Sequence, residues 1–257
     1  MSSLDYGTRK RKRIDDFFSK EHTKAAKGSD TKNGSSSHIS THNRIPGLTI
    51  HNEFVSPQRE LLTIDYLNKQ TWRTDLARRC IHYGGTYCLM PSRHCTPEQR
   101  RQIESQIFTA DPIPAELHPI IDRMVDRDIF TASTAPEFCI VNEYQNKQGI
   151  SAHVENFRFA SPVCGLTLLK GDWMRFHELE KPDDGSVRSG KAAQAKRTGK
   201  KVDVWLPRRS LLVMEREARE KWQHEIVRGA KDRKGVDWKR VSLTFRTTRT
   251  RPVASST

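Results

Sequence analysis

The second half of the chain is a succession of short apolar or alternating runs, and this limits the fold more than any other feature. The runs are Phe138 to Tyr144, Val163 to Leu169, Trp173 to His177, Val202 to Leu206, Ser210 to Met214 and Trp238 to Thr247. Several short strands after a helical lead-in predict a sandwich or barrel. The lead-in has its own signals. Ser56-Pro57 opens a helix, because Ser is a good N-cap and Pro is tolerated at the first helical position. Leu61, Leu62, Ile64, Tyr66 and Leu67 are expected to supply its apolar face. Thr96-Pro-Glu-Gln99 has the spacing of a capping box, and a third helix is expected from Pro114 to about Arg127. The fold class is therefore α+β: a helical lead-in over 46–135 and a β core over 136–250. Residues 181–201 interrupt the strands. They hold Pro182-Asp-Asp-Gly185 and then Arg188, Lys191, Lys196, Arg197, Lys200 and Lys201, and read as a solvated basic insertion loop.

Residues 1–45 and 251–257 read as tails. Gly28 to Asn43 is mostly Ser, Thr, Asn, Gly, Lys and His, too polar to offset its chain entropy by burial. Within the first tail, Arg9-Lys-Arg-Lys-Arg13 is a run of five cations. Ile14, Phe17 and Phe18 follow it and fall on one side of a helical turn as a small hydrophobic plug. The whole chain carries 45 Lys and Arg against 31 Asp and Glu, a net charge of +14, which favours a polyanionic partner, nucleic acid first. The 5 cysteines are an odd number and widely spread, which speaks for a reducing compartment rather than a disulfide scaffold. The longest apolar runs fall far short of a membrane span, and no secretory signal is read in the first residues. Cys80, His82, Cys88, His94 and Cys95 contain no Cys-x-x-Cys pair and read as ordinary residues rather than a zinc site.

Two stretches carry candidate chemistry. In His153-Val-Glu155, at the end of an expected strand, alternate residues share a face, so the imidazole and the carboxylate point the same way. With a second imidazole from a distant strand, offered by His224, this is the ligand pattern of a facial divalent-metal site, and three positions stay open for a chelating co-substrate and dioxygen. A satisfied surface histidine is the plainer reading of His224. The second stretch is Arg240-Val-Ser-Leu-Thr-Phe-Arg246. It puts Arg240, Ser242, Thr244 and Arg246 on one face and Val241, Leu243 and Phe245 on the other. Six steps of about 3.3 Å separate the two arginine Cα atoms by about 20 Å. Side chains leaning inward would leave a gap that suits a five-carbon dicarboxylate; a basic outer face on an edge strand fits the pattern equally well. Asn142 and Tyr144 also alternate, as hydrogen-bonding groups for that co-substrate or as ordinary strand residues.

In order and spacing together, Asn142-Glu-Tyr144, Gly149-Ile150, His153-Val-Glu155, Pro162-Val163, Leu206-Pro-Arg-Arg-Ser-Leu-Leu-Val-Met214, His224 and Arg240 to Arg246 resemble the AlkB family of Fe(II)- and 2-oxoglutarate-dependent dioxygenases, over roughly Pro46 to Arg249. Arg78-Arg79, His82-Tyr83-Gly84 and the segment 206–214 look closest to the eukaryotic branch that includes tRNA wobble-uridine hydroxylases. The resemblance implies a double-stranded β-helix, or jelly roll, preceded by a nucleotide-recognition lid. It implies that His153, Glu155 and His224 ligate Fe(II), and that Asn142, Tyr144, Arg240 and Arg246 hold 2-oxoglutarate. With dioxygen, such a centre oxidatively demethylates alkylated bases in nucleic acid. DNA repair is the favoured role; RNA (tRNA) or protein hydroxylation or demethylation is the alternative. The family pattern is His-x-Asp, and this chain has Glu155; a non-catalytic nucleic-acid or clamp-binding module with a weakened iron site is the rival that this departure raises.

Cations and rings at Arg78, Arg79, His82, Tyr83, Arg208 and Arg209 are the candidate nucleic-acid contacts. Ile14, Phe17 and Phe18 resemble the interaction box for the sliding clamp PCNA, with Arg11 in place of the usual leading Gln. The adjoining cations look like a nuclear localisation signal. The expected compartment is the nucleus, with the cytoplasm as the alternative.

Overall fold

The structure is a computed structural model that describes residues 39–74, 77–87, 96–99, 101, 107–108, 110–182, 195–230, 233 and 237–249. The clamp-like motif, the basic run and most of the insertion (183–194) lie outside the described residues, as do Cys88, His94 and Cys95.

Two antiparallel sheets form the core. The larger has seven strands: β1 (Ile39–Thr41), β2 (Leu48–His51), β3 (Cys80–Tyr83), β6 (Phe138–Gln145), β8 (Val163–Leu168), β11 (Leu211–Met214) and β13 (Lys239–Arg246), in the order β1-β2-β11-β8-β13-β6-β3. The smaller has four: β7 (Ile150–His153), β9 (Asp172–Leu179), β10 (Arg197–Leu206) and β12 (Trp222–Ile226), in the order β10-β9-β12-β7. β4 (Thr86–Tyr87) and β5 (Ile107–Phe108) form a separate ribbon. This is the expected double-stranded β-helix. Residues of both sheets meet in one apolar layer: Leu48, Ile50, Leu212 and Met214 pack with Phe176, Val202, Val204 and Trp222. Alternation explains it, because Val202, Val204 and Leu206 turn inward while Lys201, Asp203 and Trp205 between them face outward.

The other face of the large sheet is covered by helices α1 (Pro57–Asn68) and α2 (His118–Asp126). Val141, Leu166, Leu243 and Phe245 pack there against Leu67, Leu117, Ile120 and Met124. The Ser56 Oγ accepts from the Arg59 N–H at 3.1 Å, the N-cap that the sequence announces. Gln99 and Thr96 likewise exchange both capping-box bonds, at 3.2 and 3.0 Å. The buried face of α1 differs from expectation. Leu61 and Leu62 are exposed, whereas Glu60, Thr63 and Leu67 are buried. Glu60 is turned in because its carboxylate accepts from Arg208 Nε at 2.9 Å and from the Leu169 N–H at 2.7 Å, which joins α1 to two sheet turns. The Pro114–Arg127 helix begins as a 3-10 turn, Ala115–Leu117, before α2.

Three boundaries shift. β1 lies inside the stretch read as tail; its Ile39 to Thr41 pair with His51 to Thr49, so backbone pairing holds a segment with little to bury. β10 begins at Arg197, inside the expected insertion, and Lys201 pairs with His177, which shortens the interruption to 181–196. β7 and β12 carry no long apolar run; the strands expected around His153 and His224 are bounded by their ladder. Among the described residues no helix is long and apolar enough to cross a membrane.

Candidate metal and co-substrate site

The small sheet supplies two imidazoles. On β7 and β12, His153 and His224 are register partners, so they share the face that looks toward the large sheet, with ring centroids 4.4 Å apart. β7 ends at His153, and Glu155 stands two residues beyond it, outside any strand. The sequence rationale, strand alternation, therefore does not place this carboxylate; the chain beyond the strand does. Glu155 Oε1 lies 3.6 Å from His224 Nε2 and 3.9 Å from His153 Nε2. The potential ligand atoms of all three residues lie within 4.8 Å of one another. Glu155 is 5% exposed and His224 6%.

Protonation suits a cation here. A carbonyl only accepts, so the 2.8 Å bond between His153 Nδ1 and the Ser151 carbonyl makes Nδ1 the donor and leaves Nε2 with its lone pair. Burial, followed by the neighbouring His224, holds the His153 pKa down to about 4, so the ring is neutral near neutral pH. Burial pushes the Glu155 carboxyl up, but the Arg246 guanidinium, which also donates to it, and the neighbouring His224 and His153 rings overcome this and hold it well below the usual range. Two converging imidazoles and one carboxylate, with His153 partly exposed and the other two buried, fit a divalent ion with open positions.

The large sheet supplies the other wall. Ser242 sits between Asn142 and Thr167 in register, and Arg240 beside Tyr144, so these side chains share one face. Arg246 Nε donates to Glu155 Oε2 at 2.7 Å. Arg240 is 2% exposed. Its guanidinium lies 5.4 Å from the Tyr144 ring centre, and one Nη donates to Thr167 Oγ1 at 2.9 Å. Its Nε is buried with no hydrogen-bond partner, and Asp172, the acid whose charge reaches it, is paired with Arg233 at 2.9 Å. A buried guanidinium with no ion pair of its own is costly, and an anion from outside the chain would offset that cost. The reading of β13 as a basic outer face is thereby excluded. Thr167 escaped the sequence reading, because a threonine in an apolar strand carries no signal of its own.

The six candidate nucleic-acid residues are placed differently. Arg79 is held by Glu143 at 2.8 and 2.7 Å and stacks 4.3 Å over Trp72. Arg208 pairs with Glu60, and Arg209 with Glu53 at 2.8 and 2.6 Å. Tyr83 is buried in the layer under the helices, its hydroxyl held protonated by burial. Four of the six thus have partners among this chain's own acids or core. His82 lies 3.4 Å from Arg73. Arg78 turns toward the site: its Nε donates to Asn142 Oδ1 at 2.7 Å, and its guanidinium lies 5.7 Å from the Tyr144 ring. Cys80 is fully buried in β3.

Residues 47–246 match the 2OG-Fe(II) oxygenase superfamily, and the chain belongs to it: it is a dioxygenase that uses Fe(II), 2-oxoglutarate and dioxygen. Within that superfamily it is AlkB-like. It is 28% identical over 223 residues to the Alkylated DNA repair protein ALKBH8 homolog of Arabidopsis thaliana, covering 81% of this chain and 60% of that protein. It is 26% identical over 175 residues to the RNA demethylase ALKBH9B of Arabidopsis thaliana, covering 68% of this chain and 30% of that one. The chain thus spans less than two thirds of either relative's length. Among solved structures, OsALKBH1 shares the fold with a TM-score of 0.50 at 14% identity, covering 79% of this chain and 98% of that one.

Proposed function

We propose that this chain oxidatively demethylates alkylated bases in nucleic acid, with DNA repair as its role. The observation that carries the reading is the facing of two half-sites: the His153, Glu155 and His224 cluster on one wall, and the buried Arg240, with no ion pair of its own, on the other. His153, Glu155 and His224 would hold Fe(II). Asn142, Tyr144 and Arg240 would hold 2-oxoglutarate, and Arg246 would hold both the co-substrate and the Glu155 carboxylate. Loaded with 2-oxoglutarate and dioxygen, the iron supplies the oxidising power that turns an N-methyl into a hydroxymethyl group, which leaves as formaldehyde.

The protein's own share is orientation and shielding. The Ser151 carbonyl fixes the His153 tautomer, Arg246 keeps Glu155 ionised, and the Asn142 amide is oriented by Arg78. A methylated base inside a duplex is out of reach of a buried centre, so the substrate enters flipped out or single-stranded. The net charge of +14 suits such a polyanion. Relatives named for DNA repair and for RNA demethylation support the substrate class. The choice of DNA, like nuclear residence, rests on the clamp-like Ile14, Phe17 and Phe18 beside the run Arg9 to Arg13. RNA is the second reading, favoured by the relative named as an RNA demethylase.

The test is incubation of the full chain with Fe(II), 2-oxoglutarate and methylated DNA or RNA oligonucleotides. Formaldehyde and succinate should form with wild type and not with His153→Ala. No formaldehyde from any methylated oligonucleotide would overturn the demethylase reading, and faster turnover of RNA would overturn the preference for DNA. Succinate formation without formaldehyde would leave an oxygenase of another substrate; no succinate at all would favour the non-catalytic module. For the clamp, Phe17→Ala/Phe18→Ala should lose PCNA in a pull-down; equal capture would remove that partner.

A further inference from the structure

We propose that Arg219 is the positioning residue for Glu155, and that the turn it clamps is set for a glutamate rather than an aspartate. The inference rests on His153, Glu155 and His224 being the metal ligands.

Glu155 has no ladder to hold it, since β7 stops at His153. A segment that leaves a sheet inside a protein turns its carbonyls away from ladder partners, and each needs another donor. One side chain supplies them. Arg219, 3% exposed, donates from one Nη to the Glu155 carbonyl at 3.1 Å. It donates from the other Nη to the carbonyls of Asn156 at 2.8 Å and Phe159 at 3.0 Å. A planar fork can grip three carbonyls of one turn at fixed relative positions, which a single-point ammonium cannot. The other side of the turn is tied as well: the Arg249 N–H donates to the Arg158 carbonyl at 2.8 Å, and the Ala160 N–H to the Thr247 carbonyl at 2.9 Å.

The clamp comes from a firm base. Arg219 lies on helix α3 (Arg216–Glu220), where the Ala218 N–H donates to the Pro46 carbonyl at 2.9 Å and Ala218 is 1% exposed. Fully buried Trp222 follows at once and opens β12, the strand of His224. One short segment, 219–224, therefore carries one imidazole and fixes the backbone of the carboxylate that must meet it.

With that backbone pinned, side-chain length decides the fit. The Glu155 carboxylate reaches Arg246 at 2.7 Å with one oxygen while the other faces both imidazoles at 3.6 and 3.9 Å. Removing one methylene withdraws the carboxylate by about 1.5 Å, one carbon–carbon bond. That breaks the Arg246 contact and separates the donor atoms. The glutamate that departs from the family's His-x-Asp pattern is in this view matched to its turn.

The plainer account is that Arg219 only satisfies buried carbonyls and stabilises the fold. Calorimetric titration of the purified full chain with Mn(II), with thermal unfolding of each metal-free variant, separates the two. R219M should bind Mn(II) about 10–100-fold more weakly at temperatures where it is folded, the range typical for lost outer-shell support. R219K should fall between R219M and wild type. E155D should lose at least about tenfold, and lose less in an R219M background, where the freed turn can advance. Wild-type Mn(II) affinity in folded R219M, or in R219K should R219M not fold, overturns the positioning role even if the melting temperature drops. Undiminished affinity in E155D overturns the match to glutamate. H224A is the control on the underlying assignment: wild-type binding there would remove the metal site itself, whereas loss there with an indifferent Arg219 would remove only this inference.

Discussion

The two sheets contribute opposite walls of one site, and they are built to different standards. The large sheet is covered on both faces. Its inner face bears Asn142, Thr167, Tyr144 and Arg240, and its outer face is sealed by α1, α2 and a layer that includes Leu117, Ile120 and Met124. The small sheet is covered unevenly: among the described residues, His177 and Gln223 are buried on its outer face. Its outer face leaves Trp173 39% and Trp205 43% exposed, in contact at 5.3 Å between ring centroids. The co-substrate wall is thus held by packing from both sides. The metal wall is held by the strand register of two histidines and by one arginine-bonded carboxylate beyond a strand end. Rigidity on the first wall comes from burial, and on the second from a few directed bonds.

That contrast can be broken most decisively at the join between the walls. Arg246→Met leaves the Glu155 carboxylate buried without its cation, and should cost about 3–5 kcal/mol in urea unfolding; a loss below about 1 kcal/mol would mean that the two walls are not joined there. Next come matched truncations on the two outer faces. Leu243→Ala, fully buried on the covered face, should cost about 2–5 kcal/mol. Trp205→Ala on the outer face of the small sheet should cost about 0.5–1.5 kcal/mol, the value of an exposed aromatic pair. Equal losses would erase the distinction between the sheets.

A smaller effect sharpens the reading of the surface cations. Arg208→Ala leaves the buried Glu60 carboxylate short of a donor and should cost about 1–3 kcal/mol, while affinity for an oligonucleotide stays at the wild-type level. Weakened oligonucleotide binding at unchanged stability would return Arg208 to the nucleic-acid surface.

The smallest effect is acid sensitivity of the metal wall. The His153 pKa is down from 6.5 to about 4 in the folded chain, so the unfolded chain binds more protons between those values. The stability it contributes is full above about pH 6.5 and is lost as pH falls toward 4. The ring is 30% exposed, so the loss is modest. The melting temperature of metal-free protein should decline across that window, and less steeply in His153→Gln; identical slopes would remove His153 as the cause.

Legibility in the sequence followed the same division. Strict alternation over Arg240 to Arg246 marked one polar and one apolar face, and both are found where alternation puts them. Which face was buried was not legible, since two arginines suit a solvent edge as well as a cavity. His153 and His224 could be paired as candidates, yet β12 has no long apolar run, and its bounds are set by its ladder with β7 and β9. Glu155 arrived beside them for a reason different from the one its spacing suggested. The surface cations have partners that spacing does not announce. Arg79, Arg208 and Arg209 are matched by Glu143, Glu60 and Glu53, which lie 64, 148 and 156 residues away in the chain.

Taken alone, the amino-acid order determined the local periodicities: the β succession, the capped helices, the two faces of β13 and the residue types able to bind a metal and a dicarboxylate. These depend on neighbours a few positions apart, and short-range geometry decides them. Tertiary structure alone decided which cations pair with the chain's own acids, which arginine is left buried with no ion pair of its own, and how a carboxylate beyond a strand end meets two imidazoles. Each of these is a meeting of groups distant in sequence, and its energy exists only once the sheets have closed and water has been excluded.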